Sequence, residues 1–377
     1  MKDVLVVGMM RSPIGTGTQK SLLKSLTPQN LSLQVLSALF RQTKVLPENI
    51  EVFRVGSVVS LKSSAITQAP AREIALRAGM FNASSGITEK ACSSALRAIH
   101  EGELAIRHDK AEFVICGGVD MMSNVTDEVV IGALTCPLTG KTMAELSDLR
   151  SRELGFTRED YDKYAFESYE RAKKHLNDYQ LAGYLTPIFT PNGAAPLLNF
   201  DQNITLRDVS FEWLQKLPTL PGCEITTAGN SSKKGDAAAF LMLASHKAAR
   251  KYGLAPLARL VAYAEHGGDD PKNFILEPVC AVRKALDEAK ISFSDIGAFW
   301  PNEAFPGSPL NFMKSGAPWE IVNPWGGAIA FGHALGATGA VLSVNAICQA
   351  IMEGKRYVVV SLCNAIDEAT AMVLEIL

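Results

Sequence analysis

Short apolar runs alternate along the chain with longer stretches in which apolar residues recur every three or four positions. Val4–Val7 is a run of strand length, and Leu31–Val45 carries Leu31, Val35, Ala38 and Leu39 on one helical face. Val55–Val59 reads as a second strand and Ala69–Ala78 as a second helix. Ala91–Arg107 has a strong helical period, and Glu112–Cys116 is an apolar strand that Gly117-Gly118 is expected to end. Strands separated by helices predict an α/β protein with mixed or parallel sheets.

From Ser123 to Gly222 the pattern changes. A charged helix is predicted over Arg158–His175, followed by a Pro-, Gly- and Asn-bearing stretch, Pro187–Asn199. This reads as an inserted region of surface helices and loops. The apolar pattern resumes through Ala237–Leu243. The last third repeats the style of the first: strand Leu257–Ala264, helix Cys280–Ala289, strand Ile296–Trp300, a nearly charge-free helix Gly336–Met352, and strand Tyr357–Leu362. In each half a small-residue loop (Cys92-Ser93-Ser94, then Gly332-His333) leads to a helix and a strand ending in cysteine, Cys116 or Cys363. Two similar α/β halves would bring those loops to matching sheet ends, although any two βαβ units share this style.

Composition narrows the function. A chain of 377 residues implies two or three domains, and 47% hydrophobic against 20% charged residues supplies a full core. With 37 basic and 39 acidic side chains, the formal charge of −2 argues against broad binding to nucleic acid or an anionic membrane. Seven cysteines with no C-x-x-C pair point to reduced thiols, and to neither a disulfide framework nor a zinc ribbon. The start shows no secretory signal pattern, no run approaches the roughly 18 apolar residues of a membrane span, and Glu375-Ile376-Leu377 is no known address. A cytoplasmic protein is expected.

Four positions invite chemistry. Cys92 begins a helical pattern after the strand-like Ile87-Thr88, where the helix dipole and open N–H groups favour a thiolate; its other fate is a buried structural cysteine. His333 stands among glycines and alanines (Gly326–Gly339) that permit close approach of a ligand, or of a packed helix. Cys363 ends the last apolar strand, and Asn302 follows strand Ile296–Trp300. Strand ends of α/β sheets are where ligands bind, yet a core cysteine and a turn asparagine are equally ordinary there.

Together these segments resemble the thiolase family. Cys92-Ser93-Ser94-Ala95-Leu96 resembles its C-x-S-[AG]-L nucleophile motif, Asn302-Glu303-Ala304-Phe305 matches N-E-A-F, and Gly326–Gly339 resembles its glycine-rich histidine motif. Cys363 falls where the family has C-x-G. Arg11-Ser12-Pro13-Ile14-Gly15, Gln68–Arg72, Thr227–Ser232 and Asp236-Ala237-Ala238 agree, so the likeness spans nearly the whole chain. It implies the thiolase fold: two similar α/β halves with mixed five-stranded sheets, layered α-β-α-β-α. Residues 1–122 with 224–250 would form the first half, 123–223 an inserted loop domain, and 251–377 the second half.

The resemblance implies a ping-pong Claisen condensation, or its thiolytic reverse, on 3-ketoacyl-CoA, as in fatty acid metabolism. Cys92 would carry the acyl group, Cys363 would take the α-proton, and His333 with an Asn302-held water would steady the enolate. Met143, Ser231, Phe305 and Ala365 would touch the substrate, and Lys233 or Lys234 would meet the CoA phosphates. Coenzyme A enters as substrate, with no cofactor and no metal. Departures are specific. Ala334 replaces a proline, and Cys363-Asn364-Ala365 lacks the glycine whose N–H completes an oxyanion hole; alanine resists positive φ. Thr142-Met143-Ala144 stands for His-Met-Gly, and Phe274–Pro278 replaces a glycine-rich segment, reshaping the acyl pocket. The short Ser123–Met143 region lacks a tetramerisation loop, so a homodimer is expected. A ketoacyl synthase would pair its cysteine with two histidines. The remaining alternative is a thiolase-fold protein that binds acyl-CoA, or a partner subunit, with weak or altered catalysis.

Overall fold

The computed structural model describes residues 3–377 except 64–67, 191–192, 194 and 207. Within the predicted Pro187–Asn199 stretch, Pro191, Asn192 and Ala194 therefore lie outside the described residues. Among the described residues there are eleven strands: β1 Val4–Arg11, β2 Val52–Gly56, β3 Ser84–Thr88, β4 Phe113–Met121, β5 Ile188–Phe189, β6 Pro196–Leu198, β7 Asp236–Ser245, β8 Ala258–Gly267, β9 Ile296–Pro301, β10 Tyr357–Asn364 and β11 Glu368–Ile376. Nine of them form one hydrogen-bonded sheet in the order β3-β2-β4-β7-β1-β8-β11-β10-β9, and β5 and β6 pair separately.

The sheet repeats one pattern about the β1–β8 seam. In the first half β1 is antiparallel to β7, β7 to β4, and then β4, β2 and β3 run parallel. In the second, β8 is antiparallel to β11, β11 to β10, and β10 is parallel to β9. Where a fifth strand would lie, the second half has only a parallel bridge between Phe299 and Val322. The next residues are Asn323, at φ 46°, and Pro324, so the chain turns out of the sheet at once. The expected five-plus-five is thus five plus four.

Alternation along buried strands builds the layers. On β7, Ala237, Ala239, Leu241 and Leu243 face one apolar cluster while Ala238, Phe240, Met242 and Ala244 face another. The first cluster takes in helices Ser94–Arg107 and Thr338–Glu353, packed between the halves. The second holds helix Pro28–Thr43 outside the first half, and a third holds helix Glu277–Ala289 outside the second. The result is the α-β-α-β-α stack. One run, Leu335–Glu353, is long and apolar enough to cross a membrane, contrary to the sequence expectation. It has 89% of its window buried inside this stack, the place of a core helix.

Three local expectations shift for visible reasons. Strand β2 ends at Gly56, not Val59, because the Asp120 carboxylate takes the N–H groups of Val58 and Val59. Strand β4 runs through Gly117-Gly118 to Met121, since a Cβ at Gly117 would strike Ala239 O on β7 and only glycine keeps the strands paired. The charged helix, Arg158–Lys174, is more than a surface element. Its Thr157–Asp160 capping box sets the start, and Tyr161, Tyr164, Ala165, Ser168, Tyr169 and Ala172 are buried along one face.

Candidate active site

Cys92 lies in a tight turn between β3 and helix Ser94–Arg107. Ala91 sits at φ 44°, a strained conformation for a residue with a Cβ. Hydrogen bonds hold it there: Lys90 N–H donates to Ser94 Oγ (2.8 Å), and Ser94 Oγ donates to Ala91 O (2.6 Å). Ser93 N–H donates to Asn364 Oδ1 (3.0 Å), tying the turn to the end of β10.

His333 arrives from the other half. Gly332, at φ 112°, turns the chain so that the ring enters the site, and His333 N–H donates to Lys233 O (2.7 Å). The ring is buried. Its Nε2 lies 3.1 Å from Cys92 Sγ and 3.4 Å from Asn302 Nδ2, and its Nδ1 lies 2.7 Å from Thr338 Oγ1. An amide nitrogen only donates. With Asn302 in this orientation Nε2 accepts, so Nδ1 carries the proton and donates to Thr338. Asp120 accepts from Gly336 N–H (2.8 Å) and braces the same loop.

Electrostatics corrects one expectation. A helix N-terminus should favour a thiolate at Cys92, yet burial pushes its pKa up to about 12, against the lowering by its own backbone N–H and with a smaller push from Asp120. Burial also pushes His333 down to about 4. At neutral pH the pair is therefore a thiol donating to a neutral imidazole, which becomes reactive only when the proton moves as sulfur attacks.

Cys363 is the penultimate residue of β10 and lies inside an apolar cluster with Cys136, Met143, Leu146, Phe274, Ile275 and Ala304. Phe305 and Ala365 pack against it, half-buried. Burial, and then the neighbouring Cys92, hold the Cys363 thiol above the ordinary range. Phe274 stands edge-on to Phe305, with centroids 6.2 Å apart. Met143, Phe305 and Ala365 thus meet at Cys363, and Phe274-Ile275, from the segment expected to reshape the pocket, form its wall. Asn302 follows the end of β9; its Nδ2 faces His333, and its Oδ1 is buried with no donor among the described residues.

Ser231 is placed differently: its hydroxyl donates to Thr227 O (2.7 Å) and is committed to its own loop. Lys233 Nζ donates to Ala228 O (2.6 Å), and Lys234 pairs with Asp127 (3.3 Å). At the turn after Cys363, Ala365 keeps an ordinary φ, and the left-handed residues are Ile366 (65°) and Asp367 (62°). The strain expected at Ala365 falls one residue later. Sequence reasoning missed Asp120, Thr338 and Asn364 as builders of the site; Thr338 lay inside the glycine-rich motif, whereas Asp120 and Asn364 carried no signal beyond their strand ends.

Residues 4–131 and 124–247 match the thiolase N-terminal domain, and residues 254–376 the thiolase C-terminal domain. The acetyl-CoA acetyltransferase of Yarrowia lipolytica is 30% identical over 390 residues, covering 98% of this chain and 96% of that protein. Human mitochondrial 3-ketoacyl-CoA thiolase, solved in complex with CoA, superposes with a TM-score of 0.92 at 29% identity, over 100% of this chain and 98% of that one. The Bacillus anthracis acetyl-CoA acetyltransferase gives 0.91 at 28%, over 100% and 99%.

Proposed function

The chain belongs to the thiolase family, and from that premise we propose that it is an acyltransferase that makes or cleaves 3-ketoacyl-CoA through an acyl-Cys92 intermediate. The observation that carries this reading is the 3.1 Å contact between Cys92 Sγ and a neutral His333, with Cys363 and Asn302 at the same point.

The protons balance over two half-reactions. Cys92 sulfur attacks the thioester carbonyl and passes its proton to His333 Nε2. The departing CoA sulfur takes the Cys363 proton and leaves as a thiol. Thioester exchange replaces one C–S bond with another, so it needs little driving force. Cys363 is left as a thiolate in an apolar pocket, poorly solvated and strongly basic, which suits it to taking a proton from the α-carbon of a second acyl-CoA. The enolate oxygen is held by the His333 imidazolium and by Asn302, and its carbon attacks the acyl-enzyme. On collapse Cys92 regains its proton from His333. Ala365 N–H, at an ordinary φ, is the donor that stands where the family has glycine.

A homodimer accompanies this reading. Strand β3 has one sheet neighbour, β2, and its outer edge offers backbone groups for pairing with a second copy.

The test is intact mass after brief mixing with acetoacetyl-CoA and CoA, with absorbance followed in parallel. Wild type should gain one acetyl group and consume substrate. Cys92→Ala should do neither. Cys363→Ala, which cannot protonate the departing CoA sulfur, should be acetylated by acetyl-CoA more slowly yet still form the adduct, and should lose about 10³-fold or more in condensation. CoA bound without adduct or turnover in wild type would sink the proposal in favour of an acyl-CoA-binding protein, a reading that the non-glycine turn Ala365-Ile366-Asp367 keeps open.

A further inference from the structure

We propose that His266, Glu277 and Cys280 form a binding site for a borderline-soft divalent cation of the zinc class. His266 is the penultimate residue of β8. Glu277 opens helix Glu277–Ala289, with Pro278 fixing its first turn, and Cys280 follows at i+3, so both side chains leave the same helical face. The three ligand atoms all lie within 4.8 Å of one another. Zinc bonds of about 2.0–2.3 Å set a ligand-to-ligand edge of about 3.3–3.8 Å, so small side-chain rotations bring the three onto one ion. Imidazole nitrogen, carboxylate oxygen and thiolate sulfur form a donor set that suits zinc and discriminates against calcium and magnesium.

The surroundings fit a ligand site. Glu277 pairs with His266 Nδ1; Glu277 is 8% exposed and His266 27%, and Cys280 is half-buried, so a buried carboxylate is flanked by two ligands that solvent reaches. Asp367 reaches the same corner, because β11 pairs Glu368 with Gly267 and Ala369 with His266. Its carboxylate sits against Gly268, and Oδ2 accepts from Asp270 N–H (2.8 Å). Asp367 is 4% exposed, and its Oδ1 has no donor. The Asp367 charge acts on Cys280, so an acceptor with unmet capacity stands just outside the three-atom group, where it would meet the ion through water. An ion here ties β8 to the helix, beside the β10–β11 turn. His266 and Glu277 are 11 residues apart and come from a strand and a helix, so the sequence reading, which expected no metal, had no motif to see.

Metal-free full-length protein is titrated with cobalt(II), whose thiolate bond gives a near-ultraviolet charge-transfer band. The band should saturate at one ion per chain and collapse when zinc is added. It should be absent in Cys280→Ser, and His266→Gln should weaken binding about tenfold or more. Cys92→Ser should keep the band, which separates this cluster from the Cys92–His333 pair. Zinc should raise the thermal midpoint of wild type but not of Cys280→Ser, both folded by circular dichroism. No band, or a band lost with Cys92 rather than Cys280, overturns the proposal and leaves His266–Glu277 as a plain hydrogen-bonded pair.

Discussion

His333 shows how burial, more than sequence neighbours, sets the chemistry of a residue. An imidazole that titrates at about 4 stays neutral through the ordinary working range, so its Nε2 is always available to the Cys92 proton. The rate of Cys92 acylation should therefore show no inflection near 6.5 and should fall only as pH approaches 4. Stability carries the opposite face of the same shift. The unfolded chain protonates its histidine first as pH falls, so stability present above 6.5 is lost as pH drops toward 4. Between pH 7 and pH 5 the loss from this one group is about 2 kcal/mol. Urea unfolding at the two pH values, for wild type and His333→Gln, should show that difference in wild type alone; equal losses would contradict a buried neutral ring. The sequence named Cys92, His333, Asn302 and Cys363 because each sits in a short motif. It did not name Asp120, which accepts from Ser57, Val58, Val59, Ser60 and Gly336, because nothing local marks an aspartate that bridges two halves.

Among the elements, the β10–β11 hairpin departs most from its expected form. The register is unbroken from Tyr357–Glu375 to Asn364–Glu368, so three residues must reverse the chain. Two of them are left-handed, and one of these is Ile366, a β-branched residue at φ 65°. That conformation costs roughly 1–2 kcal/mol for such a residue, whereas asparagine tolerates it. Ile366 is 41% exposed, so little burial is forfeited on replacement. Ile366→Asn should stabilise the protein by about 1 kcal/mol, read as a higher urea midpoint at unchanged slope. A neutral or destabilised variant would mean the side chain makes contacts that outweigh the strain. Periodicity found most helices and the buried strands of this sheet, but it missed β11. The Ala369–Leu374 run is small-residue-rich and buried on both faces, so alternation is lost.

At the scale of the molecule, the two halves and the region between them are joined by buried polar contacts. Arg11, at the end of β1, meets Asp201 in a bidentate pair (2.8 and 3.0 Å), and Asp201 also accepts from Ile14 N–H (2.9 Å). Both side chains are buried. Removing the carboxylate breaks a buried bidentate ion pair, at a cost of about 3–5 kcal/mol. Asp201→Ala should lower unfolding stability by that order; a loss below about 1 kcal/mol would mean the contact is not a joint of the fold. Glu303, in the N-E-A-F segment, joins the other side, accepting from Tyr164 and Ser168 of helix Arg158–Lys174 (both 2.7 Å).

The sequence by itself determined the class of fold and the order of most of its elements, and it named four candidate residues for the proposed reaction. Periodicity and short motifs are local properties, and the chain carries them whole. Tertiary structure alone decided that Cys92 and His333, 241 residues apart, stand 3.1 Å from each other, and that both are neutral there. It alone brought His266, Glu277 and Cys280 together. The physical reason is that proton affinity and ligand geometry depend on which surfaces exclude water and which strands lie side by side, and the packing of the whole chain sets both.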